Sequence, residues 1–458
     1  MHFRELGQLV LRNAWKLAIR TLGLVELQKL SERMALTRIS KALNITDAST
    51  IRYAYGLVVE TIRRKNLISK FIQSVVAPKT MADFPLDVSA FLQLYVYHMR
   101  LKERLPTVDI KSAESLCNLA RAIVGWQAFR SVERYLGFLL TQQIQPLAER
   151  LTDEERIALV TYQPIWFVKY CFNLLGRHDA ISFLEGSVFP PQLCIRLNTL
   201  QTSEENIRKE FDEQGLKLER IASLRYAFTL DQVKQPLRDS TPFKNGLFFL
   251  QDKASCYAVE AASPAPGQTV LDVCAAPGSK TTYLGQLMQN QGKILSLDYS
   301  RRRLETWAKE VDRMGVKIAE PIIGDACSSL PFNIEADIAI LDPPCTSTGV
   351  FGRQPSAKWR LTPKSIERMA GIQWRMINSV AEKVKRGGIL VYSTCSVTVE
   401  ENEMILERFL KWHPGFRLMD VSPELGVPGL RGFEKCRRLY PHLHGCNGFF
   451  VSKMVKLD

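Results

Sequence analysis

From about residue 256 onward the chain alternates short apolar runs with helical stretches, and few folds accept that alternation. The runs fall at residues 270–273, 293–297, 318–323, 338–341 and 389–392. A strand that is apolar on both sides must be covered on both faces, which a parallel sheet flanked by helices provides. Residues 256–458 are therefore expected to form an α/β domain around a doubly wound, Rossmann-like sheet. Ligands of such sheets sit outside the carboxyl ends of the strands, beside the point where strand order reverses. The polar residues that end each run become the candidates for function.

Upstream the texture differs twice. No proline occurs before Pro78, and apolar residues recur at helical spacing, as in Ile51, Tyr55, Val58, Val59 and Ile62, or Phe91, Leu92, Tyr95, Val96 and Met99. Residues 1–155 read as an all-α bundle whose aromatic and Met positions form its core. Pro78, Pro85, Pro106 and Pro146 fall where helices would end, and Thr152-Asp153-Glu154-Glu155 reads as a helix start with an acidic first turn. Residues 156–255 read as a linker helix and a small α+β module. Strands are expected over 193–198, 224–230 and 247–250, with an amphipathic helix over 204–214 stopped by Gly215.

A chain of 458 residues, 46% apolar and 24% charged, has room for packed cores in about three domains of roughly 150 residues. Its formal charge of +14 suits a polyanionic partner, because Lys and Arg that neutralise phosphates release counterions; plain solubility would explain the same charge. Residues 1–70 carry 13 Lys and Arg against 5 Asp and Glu. No secretory leader pattern opens the sequence and no run of ~18 apolar residues could span a membrane. An intracellular, cytoplasmic protein with no membrane partner is expected. Ten cysteines without short, regular spacing fit reduced thiols, and no Cys-x-x-Cys pair suggests a zinc ribbon.

The first apolar run of the α/β region ends in Asp272-Val273-Cys274 and turns through Ala275-Ala276-Pro277-Gly278, small residues that let a backbone approach a ligand. Lys280-Thr281-Thr282 then opens a helix whose free amides favour an anionic group such as a methionine carboxylate. Asp298 ends the second run 20 residues after Gly278, the spacing at which an acidic side chain reaches a ribose diol. Asp325 follows the third run, where a carboxylate could meet an adenine amino group. Neither a Gly-x-Gly-x-x-Gly fingerprint nor a Walker loop is present, which counts against dinucleotides and ATP. One such Asp alone would read as a cap or turn residue. Four at successive strand ends, Asp342 being the last, read as a cofactor site.

The fourth and fifth runs end in Asp342-Pro343-Pro344-Cys345 and Ser393-Thr394-Cys395-Ser396. Free cysteines more often pack than react, but these two lie at strand ends among polar neighbours. Carbon 5 of cytosine is a poor nucleophile until a thiolate adds to carbon 6 and pushes electron density onto it. One cysteine can attack and a second can help to undo the bond. With the cofactor turn, the pair points to methyl transfer onto a pyrimidine ring carbon. Cys274 reads as a packing or backbone-contact residue, and Cys117, Cys171, Cys194, Cys256 and Cys327 carry no evident chemistry.

The segments Asp272-Val273-Cys274-Ala275-Ala276-Pro277-Gly278-Ser279-Lys280-Thr281, Asp342-Pro343-Pro344-Cys345-Thr346, Ser393-Thr394-Cys395-Ser396 and Arg438-Leu439-Tyr440-Pro441, with Asn447-Gly448-Phe449-Phe450, together resemble the Nop/Sun family of RNA 5-methylcytosine methyltransferases. The resemblance runs from about residue 185 to 458. Arg196-Leu197-Asn198 fits the family's upstream Arg-x-Asn element, and Gly246-Leu247-Phe248-Phe249-Leu250-Gln251-Asp252 fits the lead into its catalytic domain. The helical N-terminal region resembles the NusB-type RNA-binding domain of the Sun/Fmu branch. The resemblance implies S-adenosylmethionine held by Cys274, Ala275, Ala276, Pro277, Gly278, Ser279, Lys280, Asp298, Asp325 and Asp342. It further implies Cys395 as the nucleophile, Cys345 as an aid to product release, Asp342 also against the target cytosine, and Lys280 orienting cofactor or base. The implied partner is RNA, rRNA in preference to tRNA on the Sun/Fmu-like architecture, acted on by a monomer. Three departures stand out: Ser279 replaces the more usual Gly, Thr346-Ser347-Thr348 replaces Ser-Gly-Thr, and Asn447 replaces Asp. Ser279 requires only a backbone without positive φ, whereas the second change could alter the target pocket.

Cys436, His442, His444 and Cys446 form a Cys-x5-His-x-His-x-Cys spacing that fits no common zinc pattern, so no metal is expected. Arg353-Gln354-Pro355-Ser356-Ala357-Lys358-Trp359-Arg360 follows on Cys345, and its charges and ring suit phosphate contact beside a splayed base; an ordinary solvated loop is the plain alternative. Other readings remain at this point: the same chemistry on tRNA; cytosine methylation of DNA, where a Pro-Cys nucleophile would select Cys345; and a non-catalytic RNA-binding or ribosome-assembly factor.

Overall fold

The proline-free N-terminal stretch forms four consecutive helices, Gln8–Gln28, Glu32–Ala42, Ala48–Arg63 and Lys65–Val76, followed by Leu86–Val96 after Pro85. Their starts are written in the sequence: Ser31 caps the second through Met34 N–H, and Asp47 caps the third through Thr50 N–H at 2.7 Å. The fifth is buried from Val88 to Val96 without interruption, so it is the bundle's centre, covered on every side. The computed structural model describes residues 7–102, 110–143, 151–231, 236–328, 330 and 334–457; Pro106 and Pro146 lie outside them. Thr152 and Glu155 form a reciprocal capping box at the start of helix Asp153–Val160. No helix among the described residues is long and apolar enough to cross a membrane.

Two compact units emerge, Met1–Val188 with Phe351–Arg360, and Phe189–Val350 with Leu361–Asp458. The segment 351–360 therefore belongs to the helical unit, and the expectation of a phosphate-contacting loop there is corrected. Pro355–Arg360 is a helix whose Lys358 is 1% exposed, and Trp359 Nε1 donates to Ile62 O at 2.7 Å. The indole and the lysine stem are apolar surface; packing buries the lysine and half-buries the indole. Part of the N-terminal basic excess is internal too: Arg63 is buried, donating to Gly352 O at 2.9 Å and to Val188 O.

The second unit holds two sheets. The smaller joins β1 (Leu193–Leu197), β2 (Lys217–Arg220), β3 (Ala227–Asp231) and β4 (Phe248–Leu250) in the antiparallel order β2-β3-β1-β4. The larger contains β5 (Thr269–Val273), β6 (Lys293–Asp298), β7 (Ala319–Ile323), β8 (Ala336–Leu341) and β9 (Val384–Thr394), all parallel, in the order β7-β6-β5-β8-β9. Strand order reverses between β5 and β8, which places a crevice at their carboxyl ends. The five expected runs are these strands. Four further strands, β10 (Phe416–Met419), β11 (Val427–Pro428), β12 (Arg437–Leu439) and β13 (Phe449–Lys456), extend the β9 edge in antiparallel pairing, so the sheet is mixed.

The Arg-x-Asn element ties the two sheets together. Arg196 on β1 is fully buried and donates to Gln251 Oε1, Ser279 O and Thr282 Oγ1, each at 2.9 Å. Its guanidinium lies 4.6 Å from the Tyr283 ring centroid, and burial pushes its pKa down to about 10. Asn198 donates to Gly246 O and Met314 O.

Candidate active site

The turn after β5 is shaped by its backbone. Cys274 adopts φ 65° and Gly278 φ 107°, the second a value that a residue with Cβ rarely takes. Ser279 then begins helix Ser279–Leu287 without positive φ, so the replacement of glycine fits this backbone. Gly278, the helix N-cap, offers no side-chain cap. Inside the turn, Asp272 is buried and accepts from Thr281 Oγ1 at 2.6 Å, and Thr281 accepts from Trp307 Nε1 at 2.9 Å; burial pushes the Asp272 carboxyl up to about 6. That carboxylate braces the turn.

Asp298, at the end of β6, turns a carboxylate with 0% side-chain exposure toward Ala276 N–H at 3.3 Å and Ser300 N–H at 3.1 Å, and Arg303 pairs with it at 3.1 Å. Ala275 and Ala276 are buried and Pro277 is exposed. Asp325 stands apart from this group. It is exposed two residues beyond β7 and accepts from Cys327 N–H at 2.9 Å, capping its own turn.

At the reversal point two pairs of side chains gather. Lys280 pairs with Asp342, and Asp342 also accepts from Ser393 Oγ at 3.3 Å. Burial works against the Lys280 ammonium, yet Asp342 beside it carries its pKa above the ordinary value. The Cys345 and Cys395 sulfurs lie 3.1 Å apart, both residues half-buried. A hydrogen bond from Cys345 holds the Cys395 thiol below its ordinary pKa, against burial and Asp342 and with help from Ser347 and Lys280. The same bond, burial and the Cys395 and Glu401 charges push Cys345 well up. The two shifts run in opposite directions, so of the two sulfurs it is Cys395 whose charged form its surroundings favour.

The profile of a family described as "16S rRNA methyltransferase RsmB/F" matches residues 259–455, the stretch that carries every residue of this cluster. The probable ribosomal RNA small subunit methyltransferase B of Bacillus subtilis is 28% identical over 96% of this chain and 99% of its own length. The crystal structure of PH0851 superposes with a TM-score of 0.83 at 28% identity, over 97% of this chain and 99% of that one. This chain is a member of the Nop/Sun family. The crystal structure of NSun6 from Pyrococcus horikoshii with SFG, an S-adenosylmethionine analogue, matches at a TM-score of 0.60 and 26% identity, over 64% of this chain and 98% of that one. Curated relatives include rRNA and tRNA cytosine-C5 methyltransferases.

This Nop/Sun chain is accordingly a methyltransferase that uses S-adenosylmethionine, and its turn fits that cofactor. The buried Asp298 carboxylate suits a ribose diol, and the helix amides left uncapped by Gly278 suit a carboxylate.

Several residues around the Nop/Sun thiols escape the sequence reading. Glu401 is fully buried and accepts from Thr346 N–H at 2.8 Å, Gln373 Nε2 at 2.9 Å, Ser396 Oγ at 2.6 Å and Thr398 Oγ1 at 2.7 Å. It joins the loop after Cys345 to the loop after Cys395. Glu400-Glu401-Asn402-Glu403 looks like a solvated run, and nothing in it marks two of its carboxylates as internal. Glu403 is buried against Arg438, whose Nε donates to it at 2.6 Å. Gly448 N–H donates to Gly349 O at 2.8 Å, and a Cβ on Gly448 would lie 2.7 Å from Gly349 Cα and 2.8 Å from Val397 Cγ1, which explains a glycine after Asn447. Cys436 and Cys446 are buried, and His444 Nδ1 accepts from Tyr440 N–H; among the described residues no group of three or more His, Cys, Asp or Glu could hold a metal ion.

Proposed function

We propose that this protein methylates carbon 5 of cytosine in RNA, ribosomal RNA foremost, through a covalent adduct on Cys395. The observation that carries the reading is the pair of sulfurs 3.1 Å apart beside the Lys280–Asp342 ion pair. The Cys395 thiolate adds to carbon 6 of a cytosine that has left its stack. Asp342 receives the cytosine amino edge, and Lys280, held charged, steadies that carboxylate. Bound S-adenosylmethionine supplies an electrophilic methyl group for carbon 5; Asp298, Asp325 and residues 274–280 hold it, Asp342 bordering both ligands. The carbon-5 proton then passes to water, or to the sulfur of Cys345 once that thiol has released its own proton to solvent. Its electron pair restores the ring double bond, the carbon–sulfur bond breaks, and Cys395 leaves as a thiolate that Cys345 can again hydrogen-bond.

The domains assigned to this work are a helical RNA-binding region over 1–155, a small α+β module over 156–255 and the methyltransferase domain over 256–458, acting as a monomer in the cytoplasm. Ribosomal RNA is favoured by the matching family's description and by the Bacillus subtilis relative, which is matched over nearly its whole length. Mapping 5-methylcytosine in total RNA with and without the gene tests the reading. Loss of a site in small-subunit rRNA is expected. Loss confined to tRNA would move the substrate, and an unchanged map with methyl transfer to DNA would overturn the reading.

A further inference from the structure

Ser347 combines an unfavourable backbone with a contact to both reactive sulfurs. Its φ is 57°, in the left-handed region that residues other than glycine, asparagine and aspartate seldom enter. The neighbours on either side pin it there. Thr346 N–H donates to Glu401 at 2.8 Å, Thr348 Oγ1 meets Ser396 Oγ at 2.9 Å and accepts from Val397 N–H at 2.9 Å, and Gly349 N–H donates to Cys395 O at 3.0 Å. Strain of this kind persists only where surroundings over-determine it, and it gathers at functional sites. The serine hydroxyl lies 3.5 Å from Cys395 Sγ and 3.9 Å from Cys345 Sγ, and its side-chain partners among the described residues are those two sulfurs. Glycine would meet the backbone requirement without strain, so the hydroxyl is the part of this residue that the turn itself does not explain.

We propose that Ser347 is a catalytic residue of this chain: its hydroxyl holds the Cys395 sulfur and turns to donate to it when the thiol gives up its proton. A hydroxyl is both acceptor and donor, so one side chain serves both states without moving. A donor to the charged form favours that form. The charged and titratable groups that face the pair are Lys280 from helix Ser279–Leu287, Asp342 and Cys345 from the loop after β8, and Glu401 from the loop after β9. Lys280 and the Cys345 donor act with Ser347 and Asp342 acts against it at Cys395, so the hydroxyl adds to a finely balanced site.

The inference rests on Cys395 being the attacking sulfur, and its test needs no RNA. Full-length protein is treated with iodoacetamide across a pH series, and alkylation of Cys395, a carbon–sulfur bond formed with loss of iodide, is followed by peptide mass spectrometry. Ser347→Gly and Ser347→Ala should both slow alkylation near neutral pH by about tenfold, the lower end of what a hydrogen bond to a charged group provides, and both should move the midpoint to higher pH. Ser347→Gly should melt no earlier than the native protein, because it relieves the backbone strain, so its slower reaction cannot be blamed on misfolding. With labelled S-adenosylmethionine and total RNA from cells lacking the gene, kcat should fall while the KM for cofactor stays. Native rates and midpoints in both variants would overturn the proposal, as would a slow Ala variant beside a normal Gly variant. Failure of the native protein to methylate RNA would count against the RNA reading and leave the alkylation result standing.

Discussion

Lys280 in the α/β unit and Lys358 in the helical unit are buried to similar degrees, 7% and 1% exposed, and their surroundings drive them in opposite directions. Lys280 faces Asp342, Asp272 and Cys395, which together outweigh burial and hold its proton more firmly than usual. Lys358 faces Arg63 and Arg64 with only Glu60 in opposition, so burial and like charge push its ammonium well below the ordinary value. Burial alone therefore says nothing about use. A lysine kept charged at the mouth of a crevice can steady developing charge, whereas one squeezed among cations is a cost that packing outweighs.

The hardest test of that contrast is the thiol pair beside Lys280. Cys395→Ala should abolish methylation and form no adduct, because the attacking sulfur is gone. Cys345→Ala should still permit attack and methyl transfer but hinder departure, leaving protein and RNA joined through Cys395. A denaturing gel after incubation with RNA and cofactor would show a slow band in the second variant and none in the first. The opposite pattern would make Cys345 the nucleophile. Normal turnover in both would mean that the Lys280 corner is no reaction site at all.

The two lysines can be compared directly by the same substitution. Lys280→Met should lower kcat by about 10²–10³-fold, the usual loss on removing one preorganised charge from a reaction site, and should also lower the melting temperature, because Asp342 loses its ion-pair partner. Lys358→Met should keep the rate while changing stability. Equal losses of rate would collapse the distinction drawn from their neighbours.

How much of this was legible varies with the physics. The five parallel strands show in the sequence because strands covered on both faces need unbroken apolar runs. The antiparallel flank does not, since β11 is two residues and β12 three, too short for any period to register. Residues Cys274 to Lys280, Asp298, Asp342, Cys345 and Cys395 can be picked out because they sit where strands end. Their mutual geometry cannot, as Lys280 and Asp342 are 62 positions apart. Lys358 and Trp359 were misjudged for a reason that composition cannot supply: an amphipathic side chain reads as surface until a partner carbonyl such as Ile62 O is known.

The carboxylates give a smaller, graded effect. Asp298 is fully enclosed and surrounded by donors, so Asp298→Ala should weaken S-adenosylmethionine binding by about 1.5–3 kcal/mol, the value of a hydrogen bond to a charged group. Asp325 is exposed and already caps Cys327 N–H, so Asp325→Ala should cost less. Calorimetry on both folded variants decides it. Unchanged affinity in the Asp298 variant would reject its role, and an equal or larger loss at Asp325 would show that its turn cap gives way to the ligand.

The smallest expected effect is the pH dependence of Lys358. Unfolded, a lysine keeps its proton up to about pH 10.4; folded, this one releases it well below that value because of burial and of Arg63 and Arg64. Between those two pH values the unfolded chain binds more protons than the folded one, so the stability of the native protein rises with pH. Lys358→Met has no such proton to exchange. It should be more stable than the native protein at neutral pH by about 1 kcal/mol, in line with replacing a buried charge by an apolar side chain. That advantage should shrink as pH climbs toward 10. Urea denaturation of both proteins at several pH values measures it. A constant difference across the series would mean that Lys358 stays charged inside the bundle, with Glu60 outweighing both arginines, and the contrast with Lys280 would disappear.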